Sequence, residues 1–200
     1  MRSKNRLVCG VGVNDADYNV YLCEKVDGKS KILWACPYYR TWTSMLERCY
    51  SDKYHKRRPT YIGCTVCEEW LTFSNFRNWM VKQDWENNQL DKDLLDIGNK
   101  VYGPDSCVFV TQIVNSFLTA SGNARGEYPI GAYFNKQKNK FNAQCCNPFT
   151  GKREYLGYFN DPDQAHLAWK KRKHELACQL ADSEYVTDDR VAKALRTRYL

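Results

Sequence analysis

The chain has 200 residues, with 30 lysines and arginines against 23 aspartates and glutamates, a formal net charge of +7 at neutral pH. Hydrophobic residues make up 43% and aromatic residues 14%, which argues against a disordered polymer and allows one or two small domains with cores of their own. No apolar run approaches membrane-spanning length and residues 1–6 lead into no signal-like stretch, so a cytoplasmic protein without a membrane partner is expected.

Residues 1–35 form an N-terminal β segment of opaque role, with short runs at 7–13 and 19–23 and the turn Val26-Asp27-Gly28-Lys29 before a strand at 31–34. Over 38–50, Tyr39, Trp42, Met45, Leu46 and Cys49 recur at helical spacing while Arg40, Glu47 and Arg48 stay outside, which predicts a packing helix. Residues 51–60 carry Lys53, His55, Lys56, Arg57 and Arg58 and read as a basic loop, either solvated or touching DNA. A strand at 65–67 precedes an amphipathic helix over 70–83, built on Phe73, Phe76, Trp79 and Met80.

Leu90-Asp91-Lys92-Asp93-Leu94-Leu95 reads as a strand ending in acid groups, before a turn-rich loop, a strand to Val110 and a helix over 111–118. An acidic strand end opposite a helix with an inward amide suits Mg²⁺ or another divalent cation, which binds few protein groups and keeps water and phosphate as its remaining ligands. A charged hairpin with a capping Asn fits the same residues. The small polar stretch 121–127 reads as a linker between modules.

Beyond it, three alternating runs at 129–134, 140–146 and 153–159, separated by turn compositions, predict an antiparallel sheet. Period two puts Phe141, Ala143 and Cys145 on a core face with Leu156 and Tyr158, and turns Asn142, Gln144, Cys146, Arg153 and Tyr155 outward. No acidic residue stands between Glu127 and Glu154, so Lys136, Lys138, Lys140, Lys152 and Arg153 are unopposed in sequence, as a phosphate-binding face requires. Asp161-Pro162-Asp163-Gln164 starts a helix with the stripe Ala165, Ala168, Trp169, Leu176 and Leu180, and Thr187-Asp188-Asp189-Arg190 caps a basic last helix within 183–200.

Ten cysteines include one pair separated by two residues, Cys64 and Cys67, which Cys49, Cys107 or His55 would have to complete as a metal site, while Cys145 and Cys146 are adjacent and point to opposite faces of a strand. Without a second such pair, reduced buried thiols are favoured over structural zinc.

Gly131-Ala132 before a basic loop, Lys140-Phe141, Tyr155-Leu156-Gly157-Tyr158-Phe159 and the Ala-rich helix resemble the ethylene-response-factor (Apetala-type) DNA-binding domain, over 128–182. The resemblance implies a three-stranded sheet in the major groove of double-stranded DNA, read through Tyr133, Asn135, Lys140, Gln144, Arg153 and Tyr155. Lys136, Lys138 and Lys152 join them as phosphate contacts, and Asn142 as an outward amide.

The pattern from Tyr61 to Asn115 resembles phage HNH homing endonucleases, over a nuclease-like domain at 36–120. That resemblance implies a ββα-metal unit hydrolysing phosphodiesters, with Asp91 and Asn115 as metal ligands. The signature His is replaced by Lys92 and the middle Asn by Ser106. A lysine is a poor general base at neutral pH, which leaves Lys92 to stabilise phosphate charge and Asp93 or a metal-bound hydroxide as base. The whole therefore reads as α+β: an HNH-like ββα unit with packing helices, then a three-stranded sheet with one helix. A metal-dependent DNA endonuclease stands against an inactive HNH-scaffold regulator, or a phage factor that inhibits a host protein.

Overall fold

In the computed structural model, which describes residues 7–119 and 127–200, the chain is mixed α+β. It divides into two compact units, Met1–Phe109 and Val110–Leu200. The expected linker at 121–127 lies outside the described residues except for Glu127, and the division falls earlier.

In the first unit, β1 (Tyr21–Val26) and β2 (Lys29–Ala35) pair antiparallel. Asp27 and Gly28 close the hairpin with φ of 50° and 73°, the left-handed pair whose twist suits a two-residue turn. Residues 7–13, expected as a strand, instead form a tight turn in which Val8 bridges to Gly12 while Cys9 and Gly10 are left-handed. A Cβ on Gly12 would lie 2.5 Å from Leu46 Cδ1, so the turn rests directly on the next helix.

That helix, α1 (Pro37–Tyr50), starts with proline and buries Tyr39, Trp42, Met45, Leu46 and Cys49 as their spacing predicts. The basic stretch after it is a short helix rather than a loop: α2 (Asp52–Arg57) begins where Ser51 Oγ accepts from Tyr54 N, with Asp52 in its first turn and basic groups in its last. After β3 (Thr65–Val66) come a 3₁₀ turn and α3 (Phe73–Met80), shorter than the expected 70–83. β4 (Gln89–Asp91) pairs with β6 (Val108–Val110), and β3 pairs parallel with β5 (Val101–Tyr102).

Trp42, Trp70, Phe73, Phe76, Met80 and Tyr102 fill the core, and burial of each large apolar side chain contributes on the order of 2–3 kcal/mol. The one polar edge of Trp42 is satisfied, since Nε1 donates to Trp70 O at 2.7 Å.

The second unit opens with α4 (Gln112–Leu118). Long-range anchors explain why this helix clusters with the C-terminal elements. Lys173 Nζ donates to Phe117 O at 2.8 Å and lies 3.4 Å from that ring's centroid, and Thr111 Oγ1 donates to Tyr185 O at 3.1 Å. β7 (Ala132–Asn135), β8 (Lys140–Cys146) and β9 (Arg153–Phe159) form the expected antiparallel sheet in that order.

α5 (Pro162–Ala181) covers one face, and its N-cap Asp161 accepts from Asp163 N, as the sequence signal predicts. Ala132, Ala143 and Ala165 allow the close approach of sheet and helix. Gly131 allows it too: at φ 85°, a Cβ there would meet Trp169 Cγ at 2.1 Å. α6 (Asp189–Thr197) ends the described fold, capped by Asp188. Among the described residues no helix is long and apolar enough to cross a membrane.

Candidate nucleic-acid interface and acidic turn

Cross-strand partners share a face of a sheet, so the register sorts β7–β9 into two sides. Ala132 pairs with Ala143, Phe134 with Phe141, and Phe141 in turn with Phe159, which builds the side toward α5. Tyr133, Asn142 and Tyr158 form a row on the other side, with Gln144 opposite Tyr155, Cys146 opposite Arg153 and Asn135 opposite Lys140.

Tyr158 thus stands on the outer face, not in the core as strict alternation from Leu156 predicts. A register shift between Ala143 and Gln144 inserts an extra residue on β9 beside Gly157 at φ 123°, which inverts the phase beyond it. The outer face so formed has ordered contacts. Asn135 Nδ2 donates to the Tyr158 hydroxyl at 3.4 Å, the Tyr155 and Tyr158 rings are 5.3 Å apart, and Lys138 Nζ lies 4.2 Å from the Tyr158 ring centroid. The loop that aims Lys138 is set by Asn135 Oδ1 accepting Lys138 N and by left-handed Asn139.

Tyr133, Tyr155, Lys136, Lys138, Lys140, Lys152 and Arg153 are all exposed. None of these cations takes part in an ion pair among the described residues. Glu154, the nearest acidic residue in sequence, belongs to the other face through its pairing with Cys145 and is bound by Arg172 on α5 at 2.6 Å. Asn142 Oδ1 is buried within this row and takes no hydrogen bond among the described residues. The arginines of α6 are less available: Arg190 pairs with Asp188 and Arg196 with Asp182.

The acidic residues of the first unit sit where β4 ends. Asp91 Oδ1 accepts Asp93 N at 3.0 Å and Leu94 N at 2.8 Å, a local turn that stops the strand at Asp91, short of the expected run to 95. Burial, and then the adjacent Asp93 carboxylate, push the Asp91 carboxyl above its ordinary range.

Lys92 is buried, with its ammonium donating to Asn99 O at 2.8 Å and Asp93 Oδ2 at 3.1 Å. Asn99 returns the contact from Nδ2 to Lys92 O at 2.7 Å. Lys92 therefore pins the loop across the turn. Ser106 Oγ donates to Val101 O at 2.9 Å, closing the turn between β5 and β6. Asp91, Lys92, Asp93 and Ser106 belong to the first unit, while Asn115, on α4, belongs to the second.

The histidines are spent locally: His55 contacts Arg48 O at 2.9 Å, His166 contacts Ile130 O at 2.8 Å, and His174 lies 3.7 Å from Cys178 Sγ. Burial pushes the Cys49 and Cys107 thiols up to about 12 and Cys145 up to about 11, so each holds its proton at neutral pH.

No family model, curated protein or solved structure matches the chain. Beyond Tyr158, the sequence pattern did not show Asn135 as the group that orients the Tyr158 hydroxyl.

Proposed function

We propose that the chain binds double-stranded DNA through the outer face of β7–β9 and, by its resemblance to HNH homing endonucleases, hydrolyses phosphodiesters with a divalent cation at the Asp91 turn. One observation carries the binding half: the exposed cations Lys138, Lys140 and Arg153 share the outer sheet face with Tyr133, Tyr155 and the half-buried Asn135, Asn142, Gln144 and Tyr158, while the local carboxylate, Glu154, is neutralised on the other. Two interstrand gaps of about 4.8 Å give a surface about 10 Å across, which a major groove about 12 Å wide admits. On this reading Lys136, Lys138, Lys140, Lys152 and Arg153 meet phosphates, and Asn135, Asn142 and Gln144 face base edges, where amides suit adenine. The place of action is then the cytoplasm, that of the host cell for a phage protein.

The Asp91 carboxylate, held by the amides of a fixed turn, fits a hard divalent ion in donor chemistry, and the resemblance gives Asp93 or a metal-bound hydroxide the part of base. Such an ion supplies charge for the scissile phosphate and a water of lowered pKa. The turn amides orient Asp91, and Lys92 holds Asp93 and the Asn99 loop in place. The engagement of Lys92 also favours a second reading, an HNH scaffold kept for DNA binding without cleavage, as a regulator or a factor directed at a host protein.

Incubating the protein with supercoiled plasmid and Mg²⁺ or Mn²⁺ separates the two. Nicking or linearisation that Asp91→Ala abolishes is the expected result, while intact plasmid at concentrations that saturate binding would overturn the hydrolytic half.

A further inference from the structure

In the first unit, α1 and the loop preceding β4 enclose a cleft of about 510 Å³, within the size range of small-ligand sites. Arg40, Ser44 and Arg48 stand at four-residue intervals and so share one stripe of α1. Trp85, Asn87 and Asn88 face them from the loop. No carboxylate lines the cleft, although Asp84 and Glu86 belong to the same loop.

The walls are built rather than loose. Arg48 Nη1 donates to Leu90 O at 3.5 Å. Asn88 Nδ2 donates to Asp84 O at 2.8 Å, Asn87 is held left-handed at φ 61°, and Trp85 packs edge-on against Tyr38 at 5.0 Å. Neither Arg40 nor Arg48 takes part in an ion pair among the described residues. Leu90 lines it, and Asp91 is the next residue on the same strand.

We propose that this cleft is an oxyanion subsite for a phosphodiester of a nucleic-acid strand, seated beside the acidic turn. The identity of the polymer rests on the DNA-binding reading above. The anion-binding chemistry does not: two arginines, a hydroxyl and carboxamides offer donors to phosphate oxygens, and Trp85 offers an aromatic edge to a base or sugar.

The test titrates the full chain with the dinucleotide pTpT, and separately with inorganic phosphate, following the Trp85 indole N–H resonance assigned with Trp85→Phe. A saturable shift is expected, weakened roughly tenfold by Arg40→Glu, an exposed position whose variant keeps the core intact. Absence of a saturable shift, or equal affinity in Arg40→Glu and wild type, would overturn the subsite. Inorganic phosphate binding as tightly as pTpT would overturn its assignment to a strand. The Lys138→Ala/Lys140→Ala double variant keeps the two readings apart: it is expected to weaken duplex binding and leave the pTpT shift unchanged. Duplex binding that ignores those lysines sinks the sheet reading and leaves the cleft standing.

Discussion

Lys138 is a long cationic side chain whose ammonium rests against the Tyr158 ring, so its charge is already held over the outer face before any partner arrives. Preordering of this kind reduces the side-chain entropy lost on binding. Tyr158→Ala is expected to weaken DNA affinity roughly tenfold, and Tyr158→Phe to retain most of it, as read by fluorescence anisotropy with a labelled duplex. Equal affinity in wild type and Tyr158→Ala would show that the ring does not organise the face. At this scale the sequence was legible where period two ran unbroken: Asn142, Gln144, Arg153 and Tyr155 stand outward as alternation predicts. It failed at Tyr158, because the extra residue that shifts the register lies in the pairing of two strands and leaves no mark in one of them beyond Gly157. Lys92 was legible as a lysine between two aspartates, but its burial against Asn99 depends on how the loop folds back.

Among the elements, β9 is fastened to α5 by Glu154, whose carboxylate accepts from Arg172 Nε at 2.6 Å and Nη2 at 3.1 Å and from Asn147 Nδ2 at 2.7 Å. The Arg172 and then the Asn147 hydrogen bonds hold its carboxyl down at about 2, from an ordinary 4.5. A depressed carboxyl stabilises the fold above its unfolded pKa and loses that contribution as acid protonates the folded form. Glu154→Gln is thus expected to lower the urea midpoint at neutral pH, with the gap to wild type closing as pH falls from about 4.5 toward about 2. A gap that stays constant across that window would contradict the role given to the ion pair. Helix starts were the most legible elements, since Asp161 with Pro162, and Asp188, are capping signals readable without tertiary context. α2 was hidden because its basic run matches a solvated loop, and only the Ser51 cap marks it.

For the molecule as a whole, the division between Phe109 and Val110 was not legible. The small polar stretch at 121–127 looked like the natural boundary, yet Lys173 and Tyr185 gather α4 into the second unit through contacts more than 50 residues away in sequence. The three-stranded sheet was readable as a local pattern, whereas the acidic segment was expected as a strand to 95 and turns after Asp91; which residues share a unit was not readable. The net charge of +7 favours polyanions in general, but only the placement of the cations makes a prediction about DNA. Phosphate contacts release counterions, so the logarithm of the association constant falls linearly with the logarithm of salt concentration, with a slope of about −0.9 per phosphate neutralised. The most direct test of the sheet interface measures that slope for a duplex with wild type and with Lys136, Lys138 and Lys140 all changed to Ala. The account predicts a steep wild-type slope that becomes shallower by about 2–3 in the triple variant; a flat wild-type line, or one that the triple substitution leaves unchanged, would contradict it.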